Sequence, residues 1–408
     1  VEKNAGSVHL MGVCGIGMAG LAFLLKARGF KVSGCDVSLN RIADWLAEKN
    51  IKVGQGHDPA HISRDTDWVI RSAAVKLECP EILRANELGL PVFARGEVLP
   101  VLLENHTSLA VAGTHGKTTT ATFVAQILKS SGRDPSWCIG GENEVLGGVA
   151  GAGKSEYIVV EADESDGTLA LYTPDIAVVT NIEFDHMEHF GSVEAFEDCF
   201  RAFVGHARKK VVFCADDPRA WKLCSGLDNG LSYGFSENAR LRGTDLSVTD
   251  SSASVTVLRD GKELGRIELP VPGRHNASNA LAVTAACLEL GLSFDEIKAG
   301  LTKVSLPRRR FEKIVEQDGI LVVSDYAHHP TEIAALIRTA GRIGHSRLLA
   351  VFQPQRYTRT LALGPDFPPA FEGVDQLVLV PVYAASEEKL KGGTTLDLYQ
   401  HFRERKIQ

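Results

Sequence analysis

The sequence has no apolar run long enough to cross a bilayer as a helix, no C-x-x-C pair, and no basic run longer than three residues, such as Arg308-Arg309-Arg310. The first absence predicts a chain without a membrane-spanning helix, since such a helix needs about 20 apolar residues. The eight cysteines are scattered at positions 14, 35, 79, 138, 199, 214, 224 and 287. That spacing matches neither a zinc knuckle nor a disulfide ladder, and it predicts reduced thiols. The N-terminus lacks a basic-then-apolar leader pattern, so the expected location is cytoplasmic. Acidic residues (51) outnumber Lys and Arg (44), giving a formal charge of −7. A general nucleic-acid or membrane-surface binder needs a basic face, so neither partner is expected, and any phosphate must be bound locally.

What is present is ordinary folded material: 408 residues, 44% hydrophobic and 23% charged, enough for two to three domains. Short apolar runs alternate with helical patterns, which predicts α/β architecture with parallel sheets. Three segments are expected, at 1–106, 107–306 and 307–408. The first holds strands at Val8–Gly12, Lys31–Asp36, Trp68–Ser72 and Val92–Ala94, with a helix over Met18–Arg28. The second holds strands at Leu109–Val111, Tyr157–Glu161, Ile176–Asn181 and Lys210–Cys214, a small antiparallel excursion over 240–270, and a helix over Ala277–Leu290. The third repeats the pattern with Ile320–Val323, Leu348–Phe352 and Gln376–Val380. It ends within a helical stretch, so it is expected to be incomplete.

The most telling stretch is Gly113-Thr114-His115-Gly116-Lys117-Thr118-Thr119-Thr120, between an apolar strand and a helix start. Small residues let backbone N–H groups converge on phosphate oxygens, Lys117 reaches the outer phosphates, and the Thr118 hydroxyl is placed for Mg²⁺. The strict P-loop glycine is replaced by Val111, making this a shortened variant. An ordinary glycine-rich turn is the competing reading, but it needs neither the lysine nor the threonines. Gly15-Ile16-Gly17-Met18-Ala19-Gly20 is a full G-x-G-x-x-G, with Asp36 closing the next strand. Physically it predicts a pyrophosphate on a helix N-terminus or a plain packing turn, and it does not by itself specify a dinucleotide.

Glu161-Ala162-Asp163-Glu164-Ser165-Asp166 and Asn181-Ile182-Glu183-Phe184-Asp185-His186 both terminate apolar strands. Each is either a solvated acidic loop or an oxygen-rich Mg²⁺ site at a sheet crevice. Asn276, in Pro272-Gly273-Arg274-His275-Asn276, is either a helix N-cap or a ligand contact. Leu306-Pro307-Arg308-Arg309-Arg310-Phe311 is a basic linker or a phosphate clamp. Arg356 and Arg359 are spaced to grip a carboxylate or to form a solvated basic turn. His328-His329 lacks the spaced partners a metal would need.

Taken in order, G-I-G-M-A-G, G-T-H-G-K-T-T-T, E-A-D-E-S-D, N-I-E-F-D-H, P-G-R-H-N, R-R-F, D-Y-A-H-H-P-T-E and F-Q-P-Q-R-Y-T-R-T resemble the Mur ligase family of peptidoglycan synthesis across essentially the full chain. The resemblance implies three domains: Rossmann-like for a UDP-sugar, a central P-loop ATPase domain, and a Rossmann-like amino-acid domain. The implied activity is ATP-dependent joining of L-alanine to the lactyl carboxylate of UDP-N-acetylmuramate. It further implies that Gly15, Ile16, Gly17, Met18, Asp36, Ser72 and Arg95 meet the UDP-sugar. ATP is expected at Gly113, Thr114, His115, Gly116, Lys117, Thr118, Thr119, Asn181, Asn276, Arg310 and Asp325. Mg²⁺ is expected at Thr118, Glu164 and His186, and alanine at Tyr326, His329, Arg356 and Arg359. Lys117, His186, Arg310 and His329 are the expected catalytic groups. The sequence departs from the family pattern at Ser324, where an aspartate is usual, and at Gln355, where a histidine is usual.

Overall fold

A computed structural model describes residues 6–185, 187–385 and 387–404. Strands β1 (Ser7–Met11), β2 (Lys31–Asp36), β3 (Lys52–Gln55), β4 (Trp68–Arg71) and β5 (Val92–Ala94) form an all-parallel sheet in the order β3-β2-β1-β4-β5. Central β1 is apolar almost throughout because both of its faces are covered.

The second sheet has ten strands: β6 (Thr107–Ala112), β7 (Ser136–Asn143), β8 (Gly148–Gly151), β9 (Tyr157–Glu161), β10 (Ile176–Val179), β11 (Lys210–Cys214), β12 (Gly230–Gly234), β13 (Leu241–Val248), β14 (Ala253–Arg259) and β15 (Lys262–Leu269). Their order is β15-β14-β13-β12-β11-β10-β6-β9-β7-β8. Pairing is parallel from β7 through β13; β13-β14-β15 is the antiparallel excursion expected over 240–270, and β7-β8 is a second antiparallel pair that the sequence pattern did not reveal. Helices Lys117–Ser130 and Arg274–Glu289 pack together against this sheet.

In the third part, β16 (Glu312–Gln317) and β17 (Ile320–Ser324) form an antiparallel ribbon, while β18 (Leu349–Phe352) and β19 (Gln376–Leu379) form a parallel pair. Helices Pro330–Ala340 and Thr395–Glu404 close a small core around Phe352, Phe367, Phe371 and Phe402.

The first two parts are not independent bodies. Helix Ile16–Ala27 lies between the first sheet and the β7-β8 edge of the second, so Leu21, Leu25, Cys138, Val149 and Ala150 belong to one continuous core. This explains a helix that is apolar nearly all round. The same contact explains Gly20, the last glycine of G-I-G-M-A-G, because a Cβ there would lie 2.6 Å from Cys138 Sγ. We expect Gly20→Ala to cost about 1–3 kcal/mol through overpacking. Thermal melts should show Cys138→Ala restoring most of that loss in the double variant. Additive losses would mean that Gly20 does not serve this contact.

Candidate active site

The G-T-H-G-K-T loop leaves the end of β6 and turns into helix Lys117–Ser130. Two glycines make the turn possible: Gly113 has φ +126° and Gly116, the helix N-cap, has φ +82°. There is no room for side chains either, since a Cβ on Gly113 would lie 2.1 Å from Thr180 Oγ1 and one on Gly116 2.7 Å from Asn279 Oδ1. Asn181 braces the loop, its Oδ1 accepting from His115 N at 2.9 Å and its Nδ2 donating to His115 O at 2.9 Å. Thr114 Oγ1 bonds to the backbone of Glu183 on the same strand end. Lys117 lies folded into the loop, with Nζ 2.8 Å from Glu164 Oε1 and donating to the carbonyls of Gly113 and Thr114. Burial opposes its charge, but Glu164, Asp163 and Glu161 outweigh it and raise its pKa.

A cavity of about 300 Å³ opens beside the loop. His115, Gly116, Thr119 and Asn181 line one side; Asn276, Asn279, Tyr233 and His275 another; Arg310, Phe311, Asp325, Thr331 and Glu332 approach from the third part of the chain. Asn276 is not the N-cap. The helix starts at Arg274 after Gly273, whose φ of +102° makes the turn, so Asn276 lies inside the first turn with Nδ2 donating to Pro272 O at 2.6 Å. Asp325 accepts from the backbone of Phe311 and Ala327, which fixes the chain where Arg310 enters.

In the first sheet, Asp36 accepts from Cys14 N at 2.9 Å and Ser38 N at 3.0 Å, tying the glycine loop to β2. Ser72 packs on Gly12 at the end of the neighbouring strand. Gly15 caps helix Ile16–Ala27, and Ile16 is partly buried against the core. The Met18 side chain is buried in that core. Arg95 fills the space left by the missing side chain of Gly17 and reaches across to Asp163 Oδ2 at 3.2 Å. The glycine loop and the E-A-D-E-S-D strand end therefore meet through one guanidinium.

A second set of links joins the central and third parts. Arg359 is 6% exposed; its Nε and Nη2 lie 3.3 and 2.7 Å from the two oxygens of Asp185, and its Nη1 donates to Gln355 Oε1 at 2.7 Å. The planar fork of Arg359 is thus matched to the two oxygens of Asp185. Gln355 orients Arg359 and donates to Tyr326 Oη at 3.0 Å. Arg356 stands at the helix N-cap with φ +66°, a costly conformation for a residue that carries a Cβ, and its guanidinium is 3.9 Å from Glu387. The Tyr326 ring carries Arg309 on its face. His329 caps helix Pro330–Ala340, its ring centroid lies 4.7 Å from that of His115 with the planes tilted by 49°, and its Nδ1 lies 3.4 Å from Glu183. His186 lies outside the described residues.

Sequence reasoning passed over Glu332 and Asn279. Glu332 closes D-Y-A-H-H-P-T-E and lies 3.2 Å from His115 Nδ1, while His115 Nε2 is hydrogen-bonded to Glu183 at 3.2 Å. Asn279 follows Asn276 by three residues, a spacing that puts both on one helix face. Burial disfavours a charged His115, yet the two carboxylates prevail and raise its pKa to about 9; both carboxylates are held below their ordinary range. Burial and the His115 charge in turn push His329 down, keeping it neutral. Because the His115 pKa is raised, its contribution is complete below the ordinary histidine value of about 6.5 and is lost as pH climbs through about 9. We therefore expect the contact between central and third parts to loosen across that window, seen as a growing radius of gyration in X-ray scattering. His115→Gln should abolish the pH dependence, and an identical profile in that variant would refute the assignment.

Fold and site together define a three-part α/β protein built around a glycine-hinged loop at the start of a helix. Residues 7–107 match the Mur ligase family, catalytic domain; residues 111–287 the Mur ligase middle domain; and residues 309–406 the Mur ligase, glutamate ligase domain. The UDP-N-acetylmuramate–L-alanine ligase of Solidesulfovibrio magneticus is 40% identical, over 99% of this chain and 89% of its own. That of Symbiobacterium thermophilum is 42% identical, over 95% and 82%. The crystal structure of UDP-N-acetylmuramate-alanine ligase from Thermotoga maritima superimposes with a TM-score of 0.84 at 27% identity, covering 98% of this chain and 88% of that one. The UDP-N-acetylmuramate:L-alanyl-gamma-D-glutamyl-meso-diaminopimelate ligase from Neisseria meningitides gives 0.68 at 29%, covering 75% of this chain and 100% of that one. The chain belongs to the Mur ligase family. Among its described residues no helix is long and apolar enough to cross a membrane.

Proposed function

We propose that this protein is the ATP-dependent ligase that joins L-alanine to the lactyl carboxylate of UDP-N-acetylmuramate, a step of peptidoglycan precursor synthesis. The observation that carries the reading is the meeting of the three parts of the chain at neighbouring strand ends: Lys117 pairs with Glu164 beside the phosphate loop, Arg95 reaches Asp163 from the end of β5, and Arg359 reaches Asp185 from the third part. An ATP-dependent amide ligase needs this meeting of three substrates. A carboxylate resists attack by an amine because oxide is a poor leaving group. Phosphoryl transfer from ATP gives an acyl phosphate, and the neutral amine of alanine then displaces phosphate. The protein contributes alignment, charge neutralisation and exclusion of water.

The UDP pyrophosphate is assigned to the Gly15–Gly17 turn, with Asp36, Ser72 and Arg95 around it. ATP is assigned to the cavity, with its phosphates on Gly113 to Thr119 and its base toward Asn276. Arg310 and Asp325 close over it. For Mg²⁺ the donor set fits: Glu164 is 1% exposed and already carries a cationic ammonium against its oxygen, as a hard oxygen ligand for a cation would. Thr118 and Glu164 would hold the ion, with His186 as the third ligand; bound there it would neutralise phosphate charge. Tyr326, His329 and Arg356 are assigned to the alanine side, with Arg359 behind them.

The test is phosphate release with UDP-N-acetylmuramate and ATP, comparing L-alanine, glycine, L-serine and murein tripeptide. L-alanine should be used with the highest kcat/KM. Preference for the tripeptide would replace this reading by the peptide-recycling one.

A further inference from the structure

Away from this site, beneath the first sheet, a buried cluster gathers three histidines, two cysteines and one carboxylate. His9 is on β1 and Cys35 on β2. His57 and His61 follow β3, and Cys79 and Glu81 stand at the start of helix Pro80–Glu87. Glu81 is fully buried, and its ion pairs are with His9, His57 and His61, at 3.7, 2.6 and 2.6 Å. Cys35 belongs to an apolar cluster with Met11, Ile62, Val69, Val75 and Ile82, and Cys79 packs against it, so the carboxylate is held beside an apolar layer. His9 is 2% exposed. Its Nδ1 bonds to Ser33 Oγ at 2.9 Å, while its Nε2 points at Glu81 Oε1 from 3.7 Å and makes no hydrogen bond. Such an orphan is unusual for a buried polar atom.

We propose that His9 Nε2, Cys35 Sγ, His61 Nδ1 and a Glu81 carboxylate oxygen form a binding site for one borderline-soft divalent cation of the Zn²⁺ class. One ligand atom from each of these residues lies within 4.8 Å of all the others. Tetrahedral zinc with bonds of roughly 2.0–2.3 Å places its ligands roughly 3.3–3.8 Å apart, a range the 3.7 Å separation of His9 Nε2 and Glu81 Oε1 already meets. The 2.6 Å contact of His61 with Glu81 would lengthen for both to ligate one ion. Imidazole and thiolate favour zinc or cobalt over Mg²⁺ or Ca²⁺, which prefer all-oxygen shells. The second-sphere pattern also suits a metal: Ser33 holds the far nitrogen of His9, and His57 holds the other oxygen of Glu81. The ion would tie β1, β2, the segment after β3 and helix Pro80–Glu87 together. The Cys35 carbonyl already accepts from Gly12 and Val13 at 2.9 and 3.0 Å, so the staple would lie directly under the start of the glycine loop.

The test uses the full chain, stripped with a chelator and titrated with Co²⁺ in excess Mg²⁺, which occupies any all-oxygen site. One equivalent should bind with tetrahedral visible bands and a thiolate-to-cobalt charge-transfer band in the near ultraviolet. Zn²⁺ should displace it and raise the melting temperature. Cys35→Ser should lose the charge-transfer band, and His61→Gln should weaken Co²⁺ binding by at least roughly tenfold, whereas Cys79→Ser should retain both. If Cys35→Ser does not fold, His61→Gln carries the test alone. No charge-transfer band in the wild type, the same band in Cys35→Ser, or unchanged binding in His61→Gln would overturn the site.

Discussion

Lys117→Ala is expected to lower ligation by on the order of 10²- to 10³-fold, the usual cost of losing one preorganised charge in a phosphoryl-transfer site. Affinity for UDP-N-acetylmuramate should barely change, because that ligand is assigned to the first sheet, whereas Lys117 lies in the loop after β6. The ammonium is held between the Gly113 and Thr114 carbonyls and Glu164, where it fills the space that phosphate oxygens are proposed to take. Removing half of a buried ion pair also costs stability, about 3–5 kcal/mol. The two effects separate in the double variant Lys117→Ala with Glu164→Gln, which should recover thermal stability and remain inactive. Calorimetric titration with the sugar nucleotide checks the other half. An equal loss of that affinity would show the division of substrates between the two sheets to be wrong.

Arg359→Lys should reduce turnover about ten- to a hundredfold, since a lost charge-assisted bond is worth roughly 1.5–3 kcal/mol and lysine cannot reproduce the planar fork. The pairing with Asp185 makes Arg359 a latch between the central and third parts, and a latch acts on kcat and on more than one substrate. Asp185→Asn should therefore reproduce the defect although it touches no amino acid. Were Arg359 instead the direct partner of the alanine carboxylate, Arg359→Lys would raise only the KM for alanine and Asp185→Asn would be nearly silent. Steady-state kinetics of the two variants decides between these roles.

Much of the site is legible where the chemistry is local in sequence. Gly113 and Gly116 mark a turn that demands positive φ, Lys117 and Thr118 follow on the helix they start, and the acidic runs end strands that are visible as apolar stretches. Asn276 has the residue type of a cap, yet Gly273 occupies the cap position and the helix is already under way when the chain reaches the asparagine. The Met18 side chain goes to the core because its helix is covered on two sides, which the glycine motif around it does not reveal.

The sequence by itself determined the class of fold, the glycine-hinged turn into helix Lys117–Ser130 and the order of the motifs, since these depend on periodicity, backbone conformation and residues adjacent in the chain. Tertiary structure alone decided which groups meet. Arg95 finds Asp163 across 68 positions and Arg359 finds Asp185 across 174, while Gly20 makes room for Cys138 in a core shared by two sheets. It also turned cysteines and histidines with no metal-binding spacing into one buried cluster around Glu81. The physical reason is that burial and ion pairing act through space: side chains brought within a few ångströms exchange their water for one another, whatever the separation along the chain.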